Sequence, residues 1–128
     1  MRSELIKIML VDDEIEVSRI LAKRLTKRGF TCECAENGKI CLEKMDSFLA
    51  DVVIMDVKMP VMDGLETLPF LVDKYKNSKI ILLSGHADMQ IAIQAMSLGA
   101  FGYLMKPVDF DELLFKIEDA LQQMELES

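Results

Sequence analysis

Four apolar runs in this sequence each end in side chains that can do chemistry. Asp51-Val52-Val53-Ile54-Met55 runs into Asp56, and Leu5 to Val11 runs into Asp12-Asp13-Glu14. Lys79 to Leu83 ends in Ser84-Gly85-His86, and Phe101 to Met105 ends in Lys106-Pro107. A carboxylate placed where a buried strand leaves the core is exposed, positioned and available for chemistry. Taken singly, each residue has an ordinary reading: Asp12 and Asp13 as helix-capping acids, Ser84 as an N-cap, Asp56 as a strand-ending acid, Lys106 as a surface charge. They carry a function only if the fold brings them to one place.

The elements between them decide that. The apolar runs are too short for buried helices and lack polar alternation, the pattern of strands covered on both faces. Phe30 to Ala35 reads as a further short strand. Val17, Ile20, Leu21 and Leu25 recur at helical spacing, so a helix is expected from Ser18 to Arg28, stopped by Gly29. Asn37-Gly38 is a turn signal, followed by a helical stripe of Ile40, Cys41, Met45 and Phe48. A third helix is expected from Leu65 to about Tyr75, and Pro69 within it implies that it starts later than Leu65 or starts distorted. Helices over 88–98, stopped by Gly99, and through Phe110, Leu113, Leu114, Ile117, Ala120 and Leu121 complete five strand-helix units. Such alternation predicts a doubly wound α/β fold with a parallel sheet and right-handed crossovers. All strand C-termini then lie at one edge, which gathers Asp12, Asp13, Asp56, Ser84 and Lys106 into a single crevice.

Composition bounds the function. A chain of 128 residues, 51% hydrophobic and 29% charged, suffices for one domain with one sizeable core. A net charge of -7 and a pI near 4.7 argue against nucleic acid or an anionic membrane as direct partner and suit proteins or cations. No run is long enough to span a bilayer, and Met1-Arg2-Ser3-Glu4 leads into a strand instead of a signal-peptide core, so the expected location is cytoplasmic. Cys32, Cys34 and Cys41 cannot all pair within the chain and are expected as reduced thiols.

Paired acids after the first strand, Asp56, the hydroxyl of Ser84, Tyr103 and Lys106-Pro107 follow a known pattern, as do Asp-Val-Lys-Met-Pro-Val-Met-Asp-Gly at 56–64 and Gly-Ala-Phe-Gly-Tyr-Leu-Met-Lys-Pro at 99–107. Over essentially its whole length, 1–128, the chain resembles the receiver domain of bacterial two-component response regulators. The resemblance implies a flavodoxin-like strand order 2-1-3-4-5, a cis peptide at Lys106-Pro107, and Asp56 as acceptor of a phosphoryl group from a sensor histidine kinase or phosphotransfer protein. Three close carboxylates repel one another, and a hard divalent cation, Mg²⁺, relieves this while coordinating Asp13, Asp56 and, by resemblance, the Lys58 carbonyl, with Asp12 acting through a water. Lys106 and Ser84 are then expected to meet the phosphoryl oxygens. Ser84 and Tyr103 form the expected switch toward an effector, an output domain or a phosphorylation-dependent homodimer at the surface of helix 4, strand 5 and helix 5. Met89, Ala92, Ile93 and Met96 form one apolar stripe on that helix, nearly opposite a second of Ile91, Ala95 and Leu98, and the resemblance implies that the second faces inward and the first outward. Lys58 and His86, at the crevice rim, are expected to tune the phosphoryl lifetime.

Other readings fit less well. A flavin-dependent electron carrier needs a Ser/Thr/Gly-rich phosphate cradle where this chain has Asp12-Asp13-Glu14. An aspartyl phosphatase places its nucleophile in an Asp-x-Asp pair, but Asp56 is followed by Val57 and Lys58. A pseudo-receiver that binds partners without phosphorylation is the alternative, and such domains usually lack site residues that this chain has.

Overall fold

A computed structural model describes residues 6–85 and 89–127. Leu5, His86 and Asp88, which the sequence reading assigned to a strand, the rim and a helix, lie outside the described residues. Five strands, β1 (Lys7–Val11), β2 (Thr31–Ala35), β3 (Val52–Asp56), β4 (Lys79–Ser84) and β5 (Gly102–Met105), alternate with α1 (Ile15–Lys27), α2 (Gly38–Phe48), α3 (Gly64–Lys74), α4 (Met89–Ser97) and α5 (Phe110–Glu127). All neighbouring strands pair in parallel, in the order β2-β1-β3-β4-β5.

Side-chain alternation along the strands sorts the core into two layers. Met9, Val11, Val53, Met55, Ile80 and Leu82 pack beneath α2, α3 and α4 through Cys41, Met45, Phe48, Leu68, Leu71 and Ala95. Ile8, Leu10, Val52, Ile54, Ile81 and Leu83 pack beneath α1 and α5 through Leu25, Phe110, Leu113, Ile117 and Ala120. Every residue of β3 is buried, including Asp56. Each fully buried aliphatic or Met side chain of that strand contributes roughly 1.5–3 kcal/mol, which fixes the strand that carries Asp56 more firmly than any loop could be fixed.

Two helix starts differ from the sequence reading. Helix α1 begins at Ile15, not Ser18, because the Asp12 carboxylate accepts the Glu14 N–H at 2.9 Å and starts the helix three residues earlier. Its buried positions are Ser18 and Leu25, while Val17 and Ile20, counted among the apolar stripe, are 48% and 62% exposed. Helix α3 begins at Gly64 despite Pro69, one residue earlier than expected rather than later. An Asp63/Glu66 capping box, with Asp63 Oδ1 accepting from Glu66 N–H and Glu66 Oε1 from Asp63 N–H at 2.9 Å each, anchors that start ahead of the proline. Helices α2 and α5 bury most of the expected stripes, with Ile40, Leu114 and Leu121 only partly buried.

Candidate functional site

Parallel register brings the strand ends level. Val11 pairs with Met55, Asp56 with Leu83 and Ser84 with Met105, so Asp12, Asp56, Ser84 and Lys106 leave the sheet at one edge. Asp56 continues the alternation of Val52 and Ile54, Asp12 that of Ile8 and Leu10, and Lys106 follows Leu104 by two. These three therefore share the α1/α5 side of the edge. Ser84 and Tyr103 lie on the other side, Ser84 in phase with Ile80 and Leu82, and Tyr103 packed against the same core layer.

The contacts follow from this placement. The Lys106 ammonium donates to Asp56 Oδ2 at 3.1 Å and stands 3.5 Å from both Asp12 Oδ2 and Glu14 Oε1. One oxygen each of Asp12, Asp13 and Asp56 fall within 4.8 Å of one another. Burial alone would lower the Lys106 pKa, but its hydrogen bond to Asp56 and the charges of Asp12, Asp56 and Glu14 outweigh burial and hold it above the ordinary lysine value. Burial lifts Asp12 above the usual carboxylate value, and Asp56 and Glu14 add to it, against the Glu14 N–H and Lys106. One ammonium thus faces three carboxylates, with a fourth, Asp13, beside two of them. Hard oxygen donors at this spacing fit a hard divalent cation, the species that relieves the excess negative charge.

The loop after Asp56 is held at two points. Gly64 N–H donates to Val57 O at 2.8 Å, and Gly38 N–H, at the start of α2, donates to Met62 O at 3.0 Å. Lys58, at the beginning of this loop, is exposed at the rim. The Lys106-Pro107 peptide is cis, as expected. Ser84 is 2% exposed and Tyr103 is half-buried. Glu14 was missing from the set read off the sequence, although as the third acid of Asp12-Asp13-Glu14 it carried the same signal. Cys32, Cys34 and Cys41 are free thiols, and burial pushes the Cys41 thiol up to about 12, so it is inert at neutral pH.

Comparison with known proteins identifies the family. The family model of the response regulator receiver domain matches residues 8–118. The chain belongs to that family. Over 116 residues it is 38% identical to the regulatory protein AtoC of Escherichia coli, a match covering 91% of this chain and 25% of AtoC. The chain thus spans about a quarter of the length of that curated relative. A receiver domain protein of Methanospirillum hungatei, described as CheY-like, superposes with a TM-score of 0.91 at 28% identity, covering 96% of this chain and 98% of that one. A response regulator of Burkholderia pseudomallei, solved with a phosphorylated aspartic acid, a calcium ion and citrate, superposes with a TM-score of 0.84 at 25% identity. That match covers 96% of this receiver and 73% of that chain.

Proposed function

We propose that this receiver accepts a phosphoryl group on Asp56 from a phosphohistidine of a sensor kinase or phosphotransfer protein, in a Mg²⁺-dependent step. The observation that carries the reading is the single ammonium of Lys106 shared among Asp56, Asp12 and Glu14, with Asp13 beside them. Asp13, Asp56 and the Lys58 carbonyl would hold the ion and Asp12 would stand behind it; when bound, the ion neutralises the carboxylates and steadies a phosphoryl oxygen. An Asp56 carboxylate oxygen attacks phosphorus in line, the bond to the donor imidazole nitrogen breaks, and an acyl phosphate forms. Lys106, already hydrogen-bonded to Asp56, follows the new charge onto the phosphoryl oxygens. The phosphorylated aspartate of the Burkholderia structure supports the same chemistry here.

The buried Ser84 hydroxyl reaches that phosphoryl group only by turning toward the crevice, which would open space on the Tyr103 side of the sheet. That motion biases a two-state equilibrium of the α4/β5/α5 surface. In the receiver reading this surface contacts an effector, an output domain or a second phosphorylated copy, and the protein works in the cytoplasm. Incubation with acetyl phosphate and Mg²⁺ should add one phosphate to the intact mass, and a chelator should prevent it. Labelling that persists undiminished in the chelator would refute the cation's role. The same experiment, followed as decay after donor removal, should show an altered half-life for Lys58→Ala, whose side chain stands at the rim; an unchanged half-life removes the tuning role.

Helix α4 supports the docking reading. Met89, Ile93 and Met96 are 72%, 55% and 48% exposed, whereas Ala95 is buried and Ile91 and Leu98 pack on the core, the orientation expected from the sequence. An uncharged apolar stripe on an acidic protein suits a protein partner. Met89→Lys and Met96→Lys should therefore leave Asp56 labelling and melting temperature within error of wild type. Phosphorylation-dependent association, measured by sedimentation, should weaken about tenfold or more. Association at wild-type strength would place the docking surface elsewhere.

A further inference from the structure

Gly38 opens helix α2, and its backbone is not in the left-handed region that favours glycine. Space requires it instead. A β-carbon there would lie 1.8 Å from Thr67 Oγ1, 3.0 Å from Thr67 Cβ and 2.9 Å from the Met62 backbone oxygen. Thr67 is fully buried, and its hydroxyl donates to Asp63 O at 2.7 Å. The first backbone N–H groups of a helix have no partner within it. Asn37 Oδ1 takes that of Ile40 at 2.9 Å, and Gly38 gives its own to Met62 O at 3.0 Å. The start of α2 is therefore bonded to the loop that follows Asp56, and only a residue without a side chain lets the two backbones come that close.

That bond fixes the far end of a short stretch. At the near end, Val57 N–H donates to Leu83 O and Val57 O accepts from Gly64 N–H, at 2.8 Å each. Between the two ends, Met62 N–H donates to Pro60 O at 2.7 Å, and Met59 packs on the core. Lys58 and its carbonyl are held between these anchors. Val61 is 76% exposed and has a φ of 70°, a left-handed conformation that a β-branched residue adopts only under constraint. Its exposed side chain does not supply that constraint; the bonds on either side do. Close packing of α2 on α3 accounts for the Thr67 contact, but not for the bond to Met62 or for the strained residue beside it.

We propose that Gly38 is a positioning residue for the cation site: by joining α2 to Met62 O, it holds the Lys58 carbonyl where the ion takes it. This rests on the cation reading given above, in which that carbonyl is a direct ligand. Mg²⁺ demands near-ideal geometry, so a displaced carbonyl binds it poorly. The test first removes the side-chain clash. Thr67→Ala takes away Oγ1, and Gly38→Ala in that background then meets the Met62 oxygen, at 2.9 Å, as its closest atom. Measured by calorimetry on the unphosphorylated protein, Thr67→Ala should bind Mg²⁺ as wild type does. The double variant should bind it about tenfold more weakly, or worse, at unchanged folded content. Equal affinity in the two overturns the proposal. Linkage supplies a second measurement on the wild-type protein: if the bond favours the ion, the ion must favour the bond by the same factor. Saturating Mg²⁺ should slow hydrogen exchange of the Gly38 amide about tenfold or more, while the Gly29 amide, bonded to Thr26 O at the end of α1, exchanges as before. An unchanged Gly38 rate overturns the proposal by itself, and decides alone if the double variant does not fold. Wild-type protein that binds no Mg²⁺ would instead refute the cation reading itself.

Discussion

Asp56→Asn is expected to take up no phosphoryl group. The amide matches the carboxylate in shape but is not a nucleophile toward phosphorus. Asp56 is the residue hydrogen-bonded by Lys106 at 3.1 Å and sits at the buried end of β3, whereas Asp13 is exposed. Intact mass after incubation with acetyl phosphate and Mg²⁺ should show one added phosphate on wild type and none on the variant. The fold should not suffer. Asp56 raises the Asp12 pKa through like charge, so removing that charge relieves a repulsion, while Lys106 keeps Asp12 and Glu14 within 3.5 Å. A melting temperature at or above that of wild type is expected. A variant that labels like wild type would move the acceptor to another acid of the cluster, and one that unfolds would mean that the Lys106 bond to Asp56 is needed for folding.

The fold was legible because β1, β3 and β4 are apolar runs that end abruptly in polar residues, the pattern of central parallel strands. Once the order of elements was set, the convergence of Asp12, Asp56 and Lys106 followed from the requirement that parallel strands end together. Helix starts were harder to read. The acids before α1 serve two purposes at once, and the sequence alone could not show that Asp12 accepts the Glu14 N–H while also facing Lys106. Ser18, expected as the start, lies inside the helix with its hydroxyl buried. Pro69 masked the start of α3, although Asp63 and Glu66, three apart, carried the capping-box signal. Those misreadings share one cause: short polar side chains act locally or at long range, and spacing does not separate the two.

Gly64→Ala should cost both stability and phosphorylation. A β-carbon at Gly64 would lie 2.5 Å from the Asp56 backbone oxygen and 3.0 Å from Val57 Cα. Both are backbone atoms of the strand end, fixed by the Val57 N–H bond to Leu83 O at 2.8 Å, and neither can swing aside as a side chain could. Overpacking of this kind costs about 3 kcal/mol. Against it stands the reduced freedom of the unfolded chain, about 0.4–1 kcal/mol, so the loss wins by about 2 kcal/mol. That predicts a melting temperature lower by roughly 5–10 °C. Displacing the Asp56 carbonyl also displaces its carboxylate, and misplacement by about 1 Å can cost on the order of 100-fold in rate, so labelling by acetyl phosphate should slow by at least about tenfold. Gly85→Ala is the control, because no described atom lies within 4 Å of a β-carbon built there. It should melt within error of wild type. If Gly64→Ala melts and labels like Gly85→Ala, the close approach of α3 to the Asp56 strand end is not what positions the carboxylate.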